Sequence, residues 1–387
     1  MRRILSGGLL SALAAIGLAA SANAEAPIVE RSGNTYHVAV CGQVFGMVAR
    51  CLAHVVTDRF GHALTGQKPI GGFAPSSLRS AYNITKNGSS STIIAIVDAY
   101  GYTNAESDLA VYRAQWGLSA CTTQNGCFKK LNQKGKEGNY PPDNSGWDLE
   151  QALDLDMASA MCPSCTIYIV EANKPSFKDL GKSVDTAATL GAHVISNSYC
   201  GGEAKINRMF APYYDHPGVA VTAANGDSGY GVCAPANIPT VVAVGGTHLV
   251  TANNSRGWTE TVWDGTGSGC STVFKKPTWQ TDTGCSKRTI GDTAAVADPA
   301  TGVAVYEGTW YVVGGTSVAT PLVGGIFGVN GGAVNAASTI YADPTALFDV
   351  TSGSNGTCSP AYLCNGEVGY DGPTGMGTPN GTAAFGN

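Results

Sequence analysis

The chain has 387 residues, a formal net charge of -5 and only 13% charged residues. With so mild a charge and no large Lys/Arg cluster, nothing suggests a nucleic-acid partner. The length suits one large α/β domain or two smaller ones, and 51 glycines favour many tight turns and close backbone approaches.

Arg2 and Arg3 precede an apolar run from Ile4 to about Ala20, and Ser21-Ala22-Asn23-Ala24 places small residues at the cleavage positions. This is the pattern of a secretory signal peptide cut after Ala24. A membrane anchor fits less well, because Gly and Ser interrupt the run and no later stretch is long and apolar enough to span a bilayer. The mature protein is expected to be exported, extracellular or periplasmic, off the membrane and monomeric. Twelve cysteines agree with an oxidising compartment. Proximity pairs Cys41 with Cys51, Cys121 with Cys127, Cys162 with Cys165, Cys270 with Cys285 and Cys358 with Cys364, leaving Cys200 with Cys233. Cys162-Pro163-Ser164-Cys165 also has metal-binding CxxC spacing, but no second CxxC matches it, so a disulfide is the better reading.

Residues 25–70 are weakly patterned and read as a short N-terminal appendage, or a remnant of a pro-segment. From Thr92 onward strands and helices alternate. Strands are expected at Thr92–Val97, Thr166–Val170, His193–Ser196, Val219–Ala223 and Val241–Val244. Helices are expected from Asn104, as a cap, to Trp116, and at Phe177–Leu190 and Ala204–Tyr213. Continuously apolar strands separated by helices imply an α/β fold with a mostly parallel sheet covered on both faces. Segments 121–145, 251–292 and 351–387 read as Gly/Asn/Thr/Ser-rich loops, which commonly carry sites.

Three places carry chemistry. After Trp147 the pattern suits a helix, and Glu150 and Asp154, four apart, share one face. Their neighbours Ala152, Leu153, Leu155 and Met157 are apolar. Two desolvated carboxyls so close share a proton, which raises one pKa and makes Glu150 a candidate base with Asp154 as its partner; a solvated acidic face is the plain alternative. Asp227, in Asn225-Gly226-Asp227-Ser228-Gly229, follows an apolar strand at the sheet edge where α/β folds place ligands. Kept protonated, it could donate a hydrogen bond to an oxyanion; a simple turn or a metal loop is the other reading. In Gly314-Gly315-Thr316-Ser317-Val318-Ala319-Thr320-Pro321, a strand ending at Val313 meets an apolar helix through Leu322–Val329. Ser317 would stand in the first helical turn beside unpaired backbone N–H groups, where a nucleophile attacks while donors hold the oxyanion. A helix cap explains Gly-Thr-Ser alone, but not a proline four residues inside a helix. None of the six histidines sits in a Gly-rich turn opening a helix, as a triad base would.

Together these motifs resemble the sedolisins, serine-carboxyl peptidases of subtilisin-like fold, from about Gly71 to the C-terminus. The resemblance implies a three-layer α/β/α peptidase domain over 71–387 acting on proteins or peptides, most actively in acid. Ser317 maps to the nucleophile, Glu150 to the base, Asp154 to its partner and Asp227 to the oxyanion donor. Gly314 replaces the first serine of the family's Ser-Gly-Thr-Ser. The resemblance also implies one structural Ca²⁺ held by Asp349, Val350, Glu367, Gly369 and Asp371, two carboxylates plus carbonyls being a fitting oxygen cage. Glu367 stands where the family has glycine, and a turn-rich loop without metal is the alternative. The leader is far shorter than the usual pro-domain of the family. Two other functions compete. One is a histidine-dependent subtilisin-like protease with Asp98, at the end of its strand, as the triad acid. The other is a non-catalytic exported binding protein on the same scaffold.

Overall fold

The computed structural model describes residues 28–332 and 336–386; the expected signal peptide lies outside them. In chain order the strands are β1 (Glu30–Ser32), β2 (Thr35–Ala39), β3 (Arg50–Cys51), β4 (His54–Thr57), β5 (Ile93–Ala99), β6 (Phe128–Asn132), β7 (Thr166–Ala172), β8 (Val194–Asn197), β9 (Tyr199–Gly202), β10 (Ala220–Ala224), β11 (Cys233–Ala234), β12 (Val242–Thr251), β13 (Trp258–Val262), β14 (Gly269–Lys275), β15 (Lys287–Ile290), β16 (Thr293–Val296), β17 (Val303–Glu307), β18 (Thr309–Gly314), β19 (Leu347–Phe348) and β20 (Thr378–Pro379). The helices that position the site are α1 (Pro75–Ala81), α2 (Ala105–Gln115), α3 (Ser145–Met161), α4 (Phe177–Thr189), α5 (Asn207–Phe210) and α6 (Thr316–Val329).

The main sheet runs β13-β12-β10-β8-β5-β7-β6, with β16 also beside β12. All its pairings are parallel except β12 with β13. Its central strands are apolar on both faces because both faces are covered. Ile94 and Ile96 of β5 join α3 and α6 in one core, while Ala95 and Val97, alternating with them, join α4 in the other. After β5 the chain builds β6 and β7 on one side and β8, β10 and β12 on the other. The β5/β8 boundary is therefore a topological switch point, and α/β folds place ligands at the carboxyl ends of such strands.

Helix α3 begins where the Asn144 side chain accepts a hydrogen bond from the Trp147 N–H. From Leu149 onward every residue of α3 is buried, as is every residue of α6. Helices buried all round belong in a core, and these two pack on each other. All six expected cysteine pairs are joined.

Five expectations give way. Residues 28–57 do not hang off the domain: β1, β2 and β4 extend the β17/β18 hairpin into the five-stranded antiparallel sheet β1-β2-β4-β18-β17. The expected loop 121–145 contains β6, and 251–292 contains β13, β14 and β15. The helix expected over 204–213 shrinks to α5 followed by one 3-10 turn at Ala211–Tyr214, where Pro212 lacks the N–H that an α-helix needs. Asn104 stands at the cap position of α2, but its side chain makes no capping bond.

Candidate active site

The carboxyl ends of β5, β8 and β10 deliver Asp98, Ser198 and Asp227 to one point, and the first turn of α6 delivers Ser317. Glu150 and Asp154 reach it from adjacent turns of α3. Asp98, Glu150, Asp154 and Ser317 are fully buried, and Asp227 is 8% exposed.

Ser317 Oγ donates to the Ser198 carbonyl at 3.3 Å and lies close enough to Glu150 to favour its ionised form, against the larger upward push of burial. No histidine is a hydrogen-bond partner of Ser317 among the described residues. Pro321 now has a reason. Its missing N–H frees the Ser317 carbonyl, four residues back, which accepts instead from Ser198 Oγ at 3.5 Å. The nucleophile's turn is thus tied to the end of β8 through two reciprocal contacts.

Glu150 Oε2 accepts the N–H groups of Leu52 at 2.9 Å and Ala53 at 2.7 Å, while Oε1 has no hydrogen-bond partner. Both oxygens of Asp98 and both of Asp154 also lack directed partners. Burial raises all three carboxyls well above the ordinary range, and the charge of Asp98 pushes Glu150 and Asp154 further. Three carboxyls in one dry pocket cannot all ionise. The two backbone donors favour the ionised form at Glu150. The sequence places Asp98 only as the acid of a histidine triad; the structure puts it inside this carboxyl cluster.

Asp227 Oδ1 accepts from the Thr316 N–H at 3.0 Å and Thr316 Oγ1 at 2.5 Å, and Oδ2 is unpartnered. Burial pushes its pKa up to about 7, against the opposing pull of the Thr316 hydrogen bonds. Between them stands Gly315, at φ 106°, where a Cβ would lie 2.0 Å from the Leu52 carbonyl and 2.8 Å from Asp227 Oδ2. Gly314 also tolerates no side chain: a Cβ there would lie 2.5 Å from the Pro299 nitrogen and 2.6 Å from the Ala297 carbonyl. That crowding accounts for glycine at the first motif position. A cavity of about 230 Å³ opens beside Asp227, walled in part by Cys200–Gly202 and Gly226–Cys233 with Arg50 at its edge.

The loop expected to hold metal brings its two aspartates together. Asp349 Oδ2 accepts from the Gly369 N–H at 2.9 Å, and Asp371 Oδ2 from the Glu367 N–H at 3.1 Å. Asp371 Oδ1 accepts from Thr374 N–H and Oγ1. Burial raises Asp371 to about 7, and the nearby charge of Asp349 adds to the rise. Val350 is buried, whereas Glu367 and Gly369 are exposed.

No protein-family model matches the chain. It is 34% identical over 331 residues to kumamolisin of Bacillus sp. (strain MN-32), covering 74% of this chain and 58% of that one. It is 26% identical over 336 residues to sedolisin of Pseudomonas sp. (strain 101), covering 74% and 56%. The solved Pseudomonas sedolisin, complexed with two molecules of pseudo-iodotyrostatin, superimposes with a TM-score of 0.70 over 81% of this chain and 96% of that one, at 24% identity. The fold is that of the solved sedolisin, and in sequence the chain is similar to kumamolisin and sedolisin over most of its length. It spans under two thirds of the length of kumamolisin and sedolisin. Within the sedolisin fold the histidine that comes near the cluster is His54, whose Nε2 lies 3.5 Å from Asp227 Oδ2. Burial, with His37 and Arg50 nearby, lowers its pKa to about 3, so it stays neutral.

Buried acids set how stability varies with pH. Asp227 and Glu171 are both raised to about 7, chiefly by burial. Between the unfolded values near 4 and about 7, the folded protein keeps protons that the unfolded chain has released. Stability is therefore full below that window and falls as pH rises through it. Calorimetry is expected to give a higher Tm at pH 5 than at pH 8; the reverse order would remove these acids as the dominant titrating groups.

Proposed function

We propose that the chain is an exported serine-carboxyl endopeptidase, hydrolysing peptide bonds of proteins or peptides through an acyl-enzyme on Ser317 and favouring acidic pH. The observation that carries this reading is the buried, unpartnered Oε1 of Glu150 beside a serine that has no histidine. Ser317 Oγ attacks the peptide carbonyl carbon and its proton passes to Glu150. Asp154 and Asp98, holding their protons, keep the one negative charge on Glu150. Protonated Asp227 donates from Oδ2 to the oxyanion together with the Ser317 N–H, which has no intrahelical acceptor in the first turn. Collapse of the tetrahedral intermediate breaks the C–N bond, and Glu150 returns the proton to the leaving amine. Water, deprotonated by Glu150, then attacks the acyl-enzyme; the acyl C–Oγ bond breaks and Glu150 returns the proton to Ser317 Oγ.

The test is cleavage of casein from pH 3 to 8, followed by trapping with a peptide aldehyde. Activity that peaks in acid and a hemiacetal on Ser317, seen by mass spectrometry, support the proposal. Activity only in alkali, or an adduct elsewhere, defeats it.

Calcium is part of the reading. Asp349 and Asp371 stand close, and among the described residues neither has a Lys or Arg ion pair. A single Ca²⁺ held by these carboxylates and by the carbonyls of Val350, Glu367 and Gly369 would balance that charge and fix the loop. Chelation is expected to lower Tm, and added Ca²⁺ to restore it, with both effects lost in Asp371→Asn.

A further inference from the structure

Outside the carboxyl cluster one group of donors has no role in the reaction above. Glu30 of β1, His37 of β2 and His54 of β4 lie on three neighbouring strands. Glu30 and His37 are direct cross-strand partners, and His54 pairs with Ala39, two residues beyond His37. Their side chains therefore converge on one face of the sheet. His37 Nδ1 and His54 Nδ1 are 3.1 Å apart, and Glu30 Oε2 lies 3.7 Å from the first and 3.5 Å from the second. Both rings are buried, at 4% and 2% exposure.

These distances describe a nearly equilateral triangle. The circle through the three atoms has a radius of ~2.0 Å, which matches zinc–imidazole and zinc–carboxylate bonds of about 2.0–2.2 Å. A hydrogen-bonded pair of imidazoles explains one edge of the triangle but not the carboxylate at equal reach of both. We propose that Glu30, His37 and His54 form a binding site for a zinc-class divalent cation, with an open fourth position.

Three further features fit. His54 Nε2, the nitrogen turned away from the triangle, is buried, has no hydrogen-bond partner and faces Asp227 Oδ2 at 3.5 Å. Metal-bound imidazoles place their other N–H against a carboxylate in just this way. A groove lined by Glu30, His37, Asp227, Trp263 and Asp264 leads to the open side, giving an entry path and space for a water ligand. The two-histidine, one-carboxylate donor set suits zinc rather than the oxygen-seeking calcium. A bound cation would clamp β1, β2 and β4 together next to Asp227. The site rests on the fold and not on the peptidase reading, since its test needs no substrate.

Zinc binding is measured on the purified protein at pH 7.5 by calorimetric titration and by metal analysis after dialysis, with Ca²⁺ present in excess to block the C-terminal loop. One zinc per chain is expected. Glu30→Gln and His37→Ala are expected to weaken it by more than the roughly 10–100-fold that loss of an outer partner costs. His62→Ala, whose ring is exposed beside Asp58, should bind as the wild type does. Absence of retained zinc in the wild type, or equal affinity in His37→Ala and His62→Ala, overturns the proposal. X-ray absorption on zinc-loaded wild type does not depend on the variants folding. Two imidazoles in the first shell are expected, and fewer than two also overturns it.

Discussion

Replacing Ser317 by alanine is expected to lower kcat/KM by about 10⁶-fold, the scale on which a nucleophile knockout acts in serine peptidases. The fold should survive. Ser317 Oγ makes one directed hydrogen bond, to the Ser198 carbonyl, and a neutral bond of that kind contributes only about 1 kcal/mol. The helix turn itself is held by Thr316 on Asp227 and by Ser198 on the Ser317 carbonyl, neither of which uses the hydroxyl. Stability and activity therefore separate in this variant. Because nucleophile and base act as a unit, Glu150→Gln should cost nearly as much alone and little more when added to Ser317→Ala. Cleavage by Ser317→Ala within tenfold of wild type would remove Ser317 from the reaction. Additive losses in the double variant would break the link between Ser317 and Glu150.

Asp227→Asn should change the shape of the pH profile rather than merely its height. Burial raises Asp227 to about 7, so it carries a proton in acid and loses it as pH rises through that value. The protonated carboxyl can donate to an oxyanion; the carboxylate repels one. Wild-type kcat/KM is expected to fall on this alkaline side. An asparagine keeps an acceptor toward Thr316 and offers an N–H₂ donor in place of the Oδ2 hydroxyl, and it does not titrate. Its alkaline limb should move upward or vanish, with activity retained at neutral pH. Asp227→Ala lacks the donor at every pH and should lose about 10²–10³-fold throughout, as removal of one oxyanion donor does. An unchanged limb in Asp227→Asn would assign that titration to another group, with the Asp98, Glu150 and Asp154 cluster next in line.

The parts of the site legible in the sequence are those written in contiguous residues. Ser317 with Pro321, Glu150 with Asp154, and Asp227 after an apolar strand each carry a local spacing that implies orientation. The partners that complete them leave no such trace. Leu52 and Ala53 hold Glu150 through backbone N–H groups, which every residue but proline has. Ser198 acts through its carbonyl as well as its hydroxyl. Asp98 is visible at a strand end, but its role depends on which helix packs over it. The same division holds for the fold. The buried parallel strands announce themselves as apolar runs, whereas Phe-Lys-Lys-Leu-Asn of β6 and Glu-Arg-Ser of β1 become strands because a sheet edge accepts them. His37 and His54 are far apart in sequence and meet because β2 and β4 pair.

Strand β9 lies between β11 and β3, with Cys51 opposite Tyr199 and Arg50 opposite Cys200. Both edges of the strand beside the nucleophile are thus taken, and one of them by the chain's own residues 50–51. A peptide adding along that edge has to displace a competitor that never diffuses away. A tethered segment acts at an effective concentration in the millimolar range for short links, and the Cys41–Cys51 bond shortens this tether further. A peptide that added along that edge would compete with this internal ligand, and because Leu52 and Ala53 next to it hold Glu150, loosening residues 50–51 should change kcat as well as apparent KM.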